Sequence, residues 1–83
     1  MPHFALNQHQ TNLIYTEHEV EVLVHDVYTV RVARAETHYT AFDLYVLSFA
    51  NLVEGEEVHV AQVKTKSLRN GVTAVNAIIH GML

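Results

Sequence analysis

An alternation of apolar and polar side chains over residues 18–35 constrains the fold of this chain more than any other feature. Valines occupy every second position in its first half, and the alternation resumes after Tyr28. Because successive side chains of a strand point to opposite faces, this period of two predicts β-structure with one apolar and one polar face. The segment is far longer than the usual strand of about five or six residues. We therefore expect two antiparallel strands, or one long bent strand, with the break at His25-Asp26.

The segments around this pattern also favour β-structure. Residues 1–11 are polar, and we expect them to be irregular or to form a short edge strand. Residues 12–16 contain Leu, Ile, Tyr and Thr, a composition that favours a short strand. Residues 56–66 alternate again, with a change of phase near Ala61-Gln62 that indicates a bulge or a bend.

A different periodicity appears over residues 40–54. Apolar side chains recur there at intervals of three and four, which is typical of one buried helix face. They are Phe42, Tyr45, Val46, Phe49, Leu52 and Val53. Thr40 has the position of an N-cap and Gly55 that of a C-terminal stop. The pattern predicts a helix, and the competing interpretation is a buried strand over residues 44–49.

The last segment has two interpretations. Asn70-Gly71 is a hairpin signal, after which residues 72–80 would form a final strand. The alternative is a C-terminal helix that begins at Ser67. Its apolar face would comprise Leu68, Val72, Val75 and Ile79. Since glycine inside a helix costs about 1 kcal/mol, we favour the strand.

These elements, in the order β-β-β-α-β-β, predict an α+β fold in one domain spanning residues 1–83. Its sheet would be small and antiparallel, with about five strands and one helix packed on one face. So small a domain has a thin core, and we expect a homodimer. No apolar run reaches the roughly 20 residues of a membrane helix, so we expect no membrane partner. The absence of cysteine excludes disulfides and fits a cytoplasmic location.

The net charge of −4 is distributed unevenly along the chain. Residues 1–57 carry nine carboxylates against two arginines, a net charge of −7. Residues 58–83 carry Lys64, Lys66 and Arg69 and no carboxylate, a net charge of +3. Such asymmetry can steer association with a charged partner or with another copy of the chain.

The seven histidines suggest a metal site formed by His25, Asp26 and either His18 or His38. Their spacing lacks the H-x-H and H-x-x-x-H pairs of common metal motifs. The chain also lacks a nucleophile motif and a glycine-rich phosphate loop. We therefore expect no catalytic residue, cofactor or metal. A histidine-based metal- or small-ligand-binding protein or enzyme is the alternative.

By elimination, the sequence favours a non-enzymatic protein-binding module that modulates or inhibits a larger protein complex. Small acidic chains of this composition are common among phage-borne accessory proteins, including anti-CRISPR inhibitors of host defence. The candidate partner-binding residues combine carboxylates, possible aromatic hot spots and a polar loop. They are Glu17, Glu19, Glu21, Asp26, Tyr28, Arg31, His38 and Tyr39.

A second alternative is a nucleic-acid-binding regulator that uses Lys64, Lys66 and Arg69 to neutralise phosphates. Arg31 and Arg34 would extend this basic stripe if their strand lay beside it. Five cations against nine carboxylates form a weak stripe, so we do not expect nucleic acid as the partner.

Overall fold

The computed structural model describes residues 3–26, 28–35, 41–48 and 58–82. The elements in chain order are α1 (Gln8–Glu17), β1 (Glu19–His25), β2 (Tyr28–Arg34), β3 (Phe42–Ser48), β4 (Val58–Thr65) and α2 (Leu68–Met82). The strands form one antiparallel sheet in the order β1-β2-β3-β4. The predicted α+β class with an antiparallel sheet is thus confirmed. In the part of the chain described, however, four strands and two helices replace the expected five strands and one helix.

The alternation over residues 18–35 forms a two-stranded hairpin, as expected. Val20 pairs with Val32 and Val22 with Val30, and the register shifts between Leu23 and His25. Asp26 follows with φ of 41°, in the left-handed region that a short polar side chain tolerates. The break therefore lies at His25-Asp26, where the sequence indicated it.

The strand predicted over residues 12–16 is wrong, because these residues belong to α1. The helix begins with a capping box: Asn7 Oδ1 accepts from the Gln10 amide at 2.8 Å, and Gln10 Oε1 accepts from the Asn7 amide at 2.9 Å. Pairing two amides that a helix start leaves unsatisfied outweighs the local β-propensity. Residues 8–11, which were expected to be irregular or extended, are accordingly helical, and of the described residues before α1, residues 3–7 lack regular structure.

The helix predicted over residues 40–54 is also wrong where the structure describes it, because residues 42–48 form β3. Its core face carries Phe42, Leu44 and Val46, while Leu47 is fully buried on the opposite face. A central strand with apolar residues on both faces produces three- and four-residue spacings that resemble a helix. The competing interpretation of a buried strand was the correct one; Thr40 and residues 49–57 lie outside the described part.

The final strand predicted over residues 72–80 is a helix instead, α2. Gly71 lies within it because the helix packs closely on the sheet. A methyl group added at Gly71 would lie 2.8 Å from Thr65 Cγ2 and 2.9 Å from Leu44 Cδ1. The glycine therefore reflects a close approach between elements and not a hairpin turn.

Both helices pack on the same face of the sheet. Helix α1 contacts β1 and β2, and α2 contacts β3 and β4. The buried core between the two layers comprises Phe4, Ile14, Val30, Val32, Phe42, Leu44, Val46, Val75 and Ile79. None of the helices in the described ranges is long and apolar enough to cross a membrane.

The irregular N-terminal segment is attached to α2 by one buried side chain. The Phe4 amide donates to Asn76 Oδ1 at 2.7 Å, and Asn76 Nδ2 donates to the Phe4 carbonyl at 2.8 Å. The same Nδ2 also donates to the Val72 carbonyl at 3.1 Å. Asn76 thereby satisfies both backbone groups of Phe4, whose ring is fully buried in the core.

Candidate protein-binding surface

The face of the sheet opposite the helices is here called the distal face. Strand alternation and the pairing register assign its residues. They are Glu19, Glu21, Leu23, Thr29, Arg31, Ala33, Asp43, Tyr45, Leu47, His59, Gln62 and Lys64. Apart from the exposed Leu23, the face is polar at both margins, and Thr29 and Leu47 are buried on it.

Strand β1 lies at one margin of the sheet and carries two outward-pointing glutamates. Glu19 and Glu21 share the distal face, about 6.5–7 Å apart along the strand. Glu17, the last residue of α1, and Asp26, in the turn after β1, are also exposed. We call these four residues the acidic edge.

Glu21 is held in place by two side chains of the neighbouring strand β2. It lies opposite Arg31 in the register, with 3.6 Å between Arg31 Nη2 and Glu21 Oε2. Thr29 Oγ1 donates to the other carboxylate oxygen at 3.2 Å. The position of this carboxylate is therefore restricted by its cross-strand neighbours, which makes it suited to directional recognition.

The remaining candidate residues do not all join this surface. Tyr28 is half-buried, and the alternation along β2 places it on the helix-covered face with Val30. At the hairpin turn, His25 Nε2 lies 3.3 Å from Asp26 Oδ2. His38 and Tyr39 lie outside the described residues.

The cations predicted as a nucleic-acid stripe lie on the opposite side of the sheet. Lys64, Lys66 and Arg69 are exposed near the end of β4 and the start of α2. Arg31 and Arg34 do not extend this group, because β3 lies between β2 and β4. Since the strand order follows the chain order, the charge asymmetry of the sequence becomes a spatial asymmetry. Of the five described carboxylates, Glu19 and Glu21 lie on β1, Glu17 and Asp26 lie close to its two ends, and Asp43 lies on β3.

Exposed apolar side chains on the two margins of the sheet were not among the residues predicted from the sequence. Leu23 on β1 is 68% exposed, and Val58 and Val60 on β4 are 47% and 42% exposed. Val58 and Val60 alternate as residues of a buried strand face do, because a local pattern does not reveal which strand lies at an edge. On the distal face, Tyr45 also packs against His59 with 5.5 Å between ring centroids.

The structure does not bring together the histidines proposed as metal ligands. His18 follows α1, whereas His25 ends β1, so about 20 Å of extended chain separates them. Across the described ranges, no group of three or more His, Cys, Asp or Glu side chains is arranged to hold a metal ion. His38 lies outside these ranges.

A groove of about 350 Å³ lies in the helix layer, away from the distal face. Residues from the N-terminal segment, α1 and α2 line it: Ala5, Leu6, Thr11, Leu68, Arg69, Val72 and Thr73. Its lining is largely apolar, with one cationic side chain at α2.

Comparisons of the chain with family models, with curated proteins and with solved structures found no match. Its function is therefore inferred from the geometry and charge of its surfaces.

Proposed function

We propose that this chain is a non-enzymatic protein-binding module that modulates or inhibits a larger protein complex, with the acidic edge as its contact surface. The observation that carries the proposal is the concentration of exposed carboxylates along β1, at one margin of the sheet. The helices pack on the other face of the sheet, so they do not cover Glu19 and Glu21.

The chemistry of the acidic edge favours a basic partner surface. Glu19 and Glu21 repeat at about 6.5–7 Å, close to the spacing of phosphates along a nucleic-acid strand. A protein surface that binds nucleic acid would therefore meet carboxylates where it normally meets phosphates. Competition for such a surface is a direct route to inhibition. Phage-borne inhibitors of host defence, such as anti-CRISPR proteins, are the class of protein that this proposal favours.

The same proposal includes a homodimer in the cytoplasm. The absence of cysteine is compatible with a reducing compartment. A chain of 83 residues has a thin core, and self-association is a common way to bury more surface.

The test is affinity capture from native-host lysate with quantitative mass spectrometry. The wild type is compared with a Glu19→Gln/Glu21→Gln double variant and with a Gln8→Lys/Ala77→Lys control. Both variants shift the net charge by +2, but Gln8 and Ala77 are exposed on the helices. Because the acidic edge supplies the specific contacts, the first variant should lose the captured complex while the control retains it.

The captured complex is then purified, and its activity is titrated with each of the three proteins. The wild type and the control should change that activity at the same concentration, and the double variant should require at least about tenfold more. Equal capture by all three proteins would overturn the assignment of the acidic edge. Specific capture without any change in activity would overturn the modulatory role.

A further inference from the structure

The groove in the helix layer exists because the two helices pack on different halves of the sheet. Helix α1 contacts β1 and β2, whereas α2 contacts β3 and β4, and the described residues of the two helices do not approach each other closely. The N-terminal segment runs between them, and its residues Ala5 and Leu6 form part of the groove wall. Thr11 on α1 and the first two turns of α2 complete it. The groove is therefore a gap between three elements.

The walls of this groove are held in place by contacts outside it. Phe4 is bound through both of its backbone groups to Asn76 of α2, and Asn7 is fixed in the capping box of α1. Residues 5–6 lie between these two fixed points. At Gly71 the start of α2 packs closely on the sheet. Because the walls are already ordered, a ligand would lose little affinity to ordering them.

The lining of the groove indicates an aliphatic ligand of small size. Ala5, Leu6, Leu68 and Val72 supply aliphatic surface, and no aromatic side chain is among the lining residues that the structure describes. The volume of about 350 Å³ is at the lower end of the range of about 300–1,000 Å³ that is typical of small-molecule sites. These dimensions suit a single short hydrocarbon chain better than an aromatic ring system or a long-chain lipid.

The polar groups of the groove determine the charge of that ligand. Thr11 Oγ1 donates to the Asn7 carbonyl at 2.9 Å, and Thr73 Oγ1 donates to the Arg69 carbonyl at 3.2 Å. Each hydroxyl has one hydrogen to donate, so both donors are already used. The guanidinium of Arg69 is different, because no described carboxylate lines the groove and none of the described ion pairs includes Arg69. A guanidinium binds a planar carboxylate through two parallel hydrogen bonds.

We propose that the groove binds a free medium-chain fatty acid, with the carboxylate at Arg69 and the hydrocarbon chain along Leu6 and Val72. Removal of the chain from water supplies most of the affinity, and the guanidinium supplies the preference for an anion. The site lies in the helix layer, whereas the acidic edge lies at a margin of the sheet. The proposal therefore does not depend on the protein-binding function.

Calorimetric titration with sodium octanoate and with 1-octanol tests the charge preference. The wild type should bind octanoate at one site and octanol at least about tenfold more weakly. Arg69→Gln should weaken octanoate binding by at least about tenfold and remove the preference over octanol. Lys66→Gln is the matched control, because it removes the same charge from an exposed residue outside the groove. It should bind both ligands as the wild type does.

A second pair of variants tests the location of the site. Ala5→Phe places a ring in the groove, and Ala77→Phe places the same ring at an exposed position of α2 outside it. Amide chemical shifts measured by nuclear magnetic resonance during octanoate titration should change around the groove in the wild type and in Ala77→Phe. They should not change in Ala5→Phe. Far-ultraviolet circular dichroism checks that all variants remain folded.

Three results would overturn the proposal. Equal affinity of the wild type for octanoate and octanol would show that the groove does not select a carboxylate. Octanoate-induced shifts confined to the distal face would place the site elsewhere. Sedimentation of the protein with phosphatidylglycerol vesicles, combined with a failure to bind octanoate, would replace the free fatty acid by a lipid surface. Partner capture is measured with the acidic-edge variants, so none of these results alters its outcome.

Discussion

The two margins of the sheet are alike in geometry and opposite in chemistry. Strand β1 presents alternating glutamates, whereas β4 presents valines followed by a lysine. Each strand pairs antiparallel with its one described neighbour, and the helices that contact them, α1 and α2, pack on the same face of the sheet. Because the strand order follows the chain order, the charge difference between the two parts of the sequence becomes a charge difference between the two margins of the sheet. A topology with another strand order would place strands of the two parts side by side. Each margin thus presents a different surface chemistry.

The helices behind these margins also differ in how firmly they are attached. Helix α1 has a single buried residue, Ile14. Helix α2 buries Gly71, Val75, Asn76 and Ile79. We therefore expect the side of the molecule with α2 and β4 to be the more stable one. The side with α1 and β1 should open first in hydrogen exchange, because fewer of its side chains are buried.

The largest effect on stability is expected for Asn76→Ala, which would detach the N-terminal segment from α2. The substitution leaves the Phe4 amide and carbonyl without their side-chain partners in a buried site. Unsatisfied buried backbone groups cost about 1–3 kcal/mol each, so the free energy of unfolding should fall by about 3 kcal/mol. Chemical denaturation monitored by circular dichroism measures this loss.

Thr73→Ala is the control, because Thr73 is exposed on the same helix. In the described part of the chain its hydroxyl donates to the Arg69 carbonyl within α2, at 3.2 Å, and the change should have little effect. If Asn76→Ala cost no more than this control, α2 would not anchor the N-terminal segment. The contrast between the two helices would then be lost.

An intermediate effect is expected for Gly71→Ala, which tests how closely α2 packs on the sheet. Alanine would gain about 1 kcal/mol in helix propensity. The new methyl group would meet Thr65 Cγ2 and Leu44 Cδ1 at less than 3 Å, and Leu44 is itself fully buried. We expect a net destabilisation of about 1–2 kcal/mol, because overpacking outweighs propensity.

Gly81→Ala provides the matched comparison at the other end of α2. A methyl group at Gly81 would have no neighbour within 4 Å among the described residues, so the propensity gain should dominate. Thermal denaturation should therefore show a lower melting temperature for Gly71→Ala and a slightly higher one for Gly81→Ala. Shifts of the same sign in both variants would contradict the packing explanation.

Gly71 also shows why only part of this fold could be predicted from the sequence. The hairpin of β1 and β2 was predictable, because its alternation and its break are local signals. The glycine resembled a turn residue, since its packing partner Leu44 is distant in sequence. Residues 40–54 resembled a helix because β3 is buried on both faces, which depends on its neighbours in the sheet.

The candidate surface was predictable to a similar extent. The acidic residues of β1 share one face as the alternation indicated, and Arg31 lies beside Glu21. Tyr28 was assigned to the interface from its residue type alone. The alternation of side chains along β2 places it on the helix-covered face with Val30. The exposure of Val58 and Val60 depends on β4 being an edge strand, which follows from the assembled sheet and not from the local sequence.

The smallest effect on stability is expected for Glu21→Gln, at the centre of the acidic edge. Glu21 and Arg31 have side chains that are 41% and 28% exposed, and ion pairs in such positions contribute little to folding. Glutamine still accepts a hydrogen bond from Thr29, so the free energy of unfolding should change by less than about 0.5 kcal/mol. Affinity for a basic partner should nevertheless fall, and the fall should be greatest at low ionic strength. Denaturation and calorimetric titration against the captured complex measure the two quantities on the same protein.

A loss above about 2 kcal/mol in stability would instead identify Glu21 as a structural residue, since surface substitutions without such a role usually stay within about 0.5 kcal/mol. The carboxylate at the centre of the acidic edge would then contribute to the stability of the fold and not to recognition of a partner.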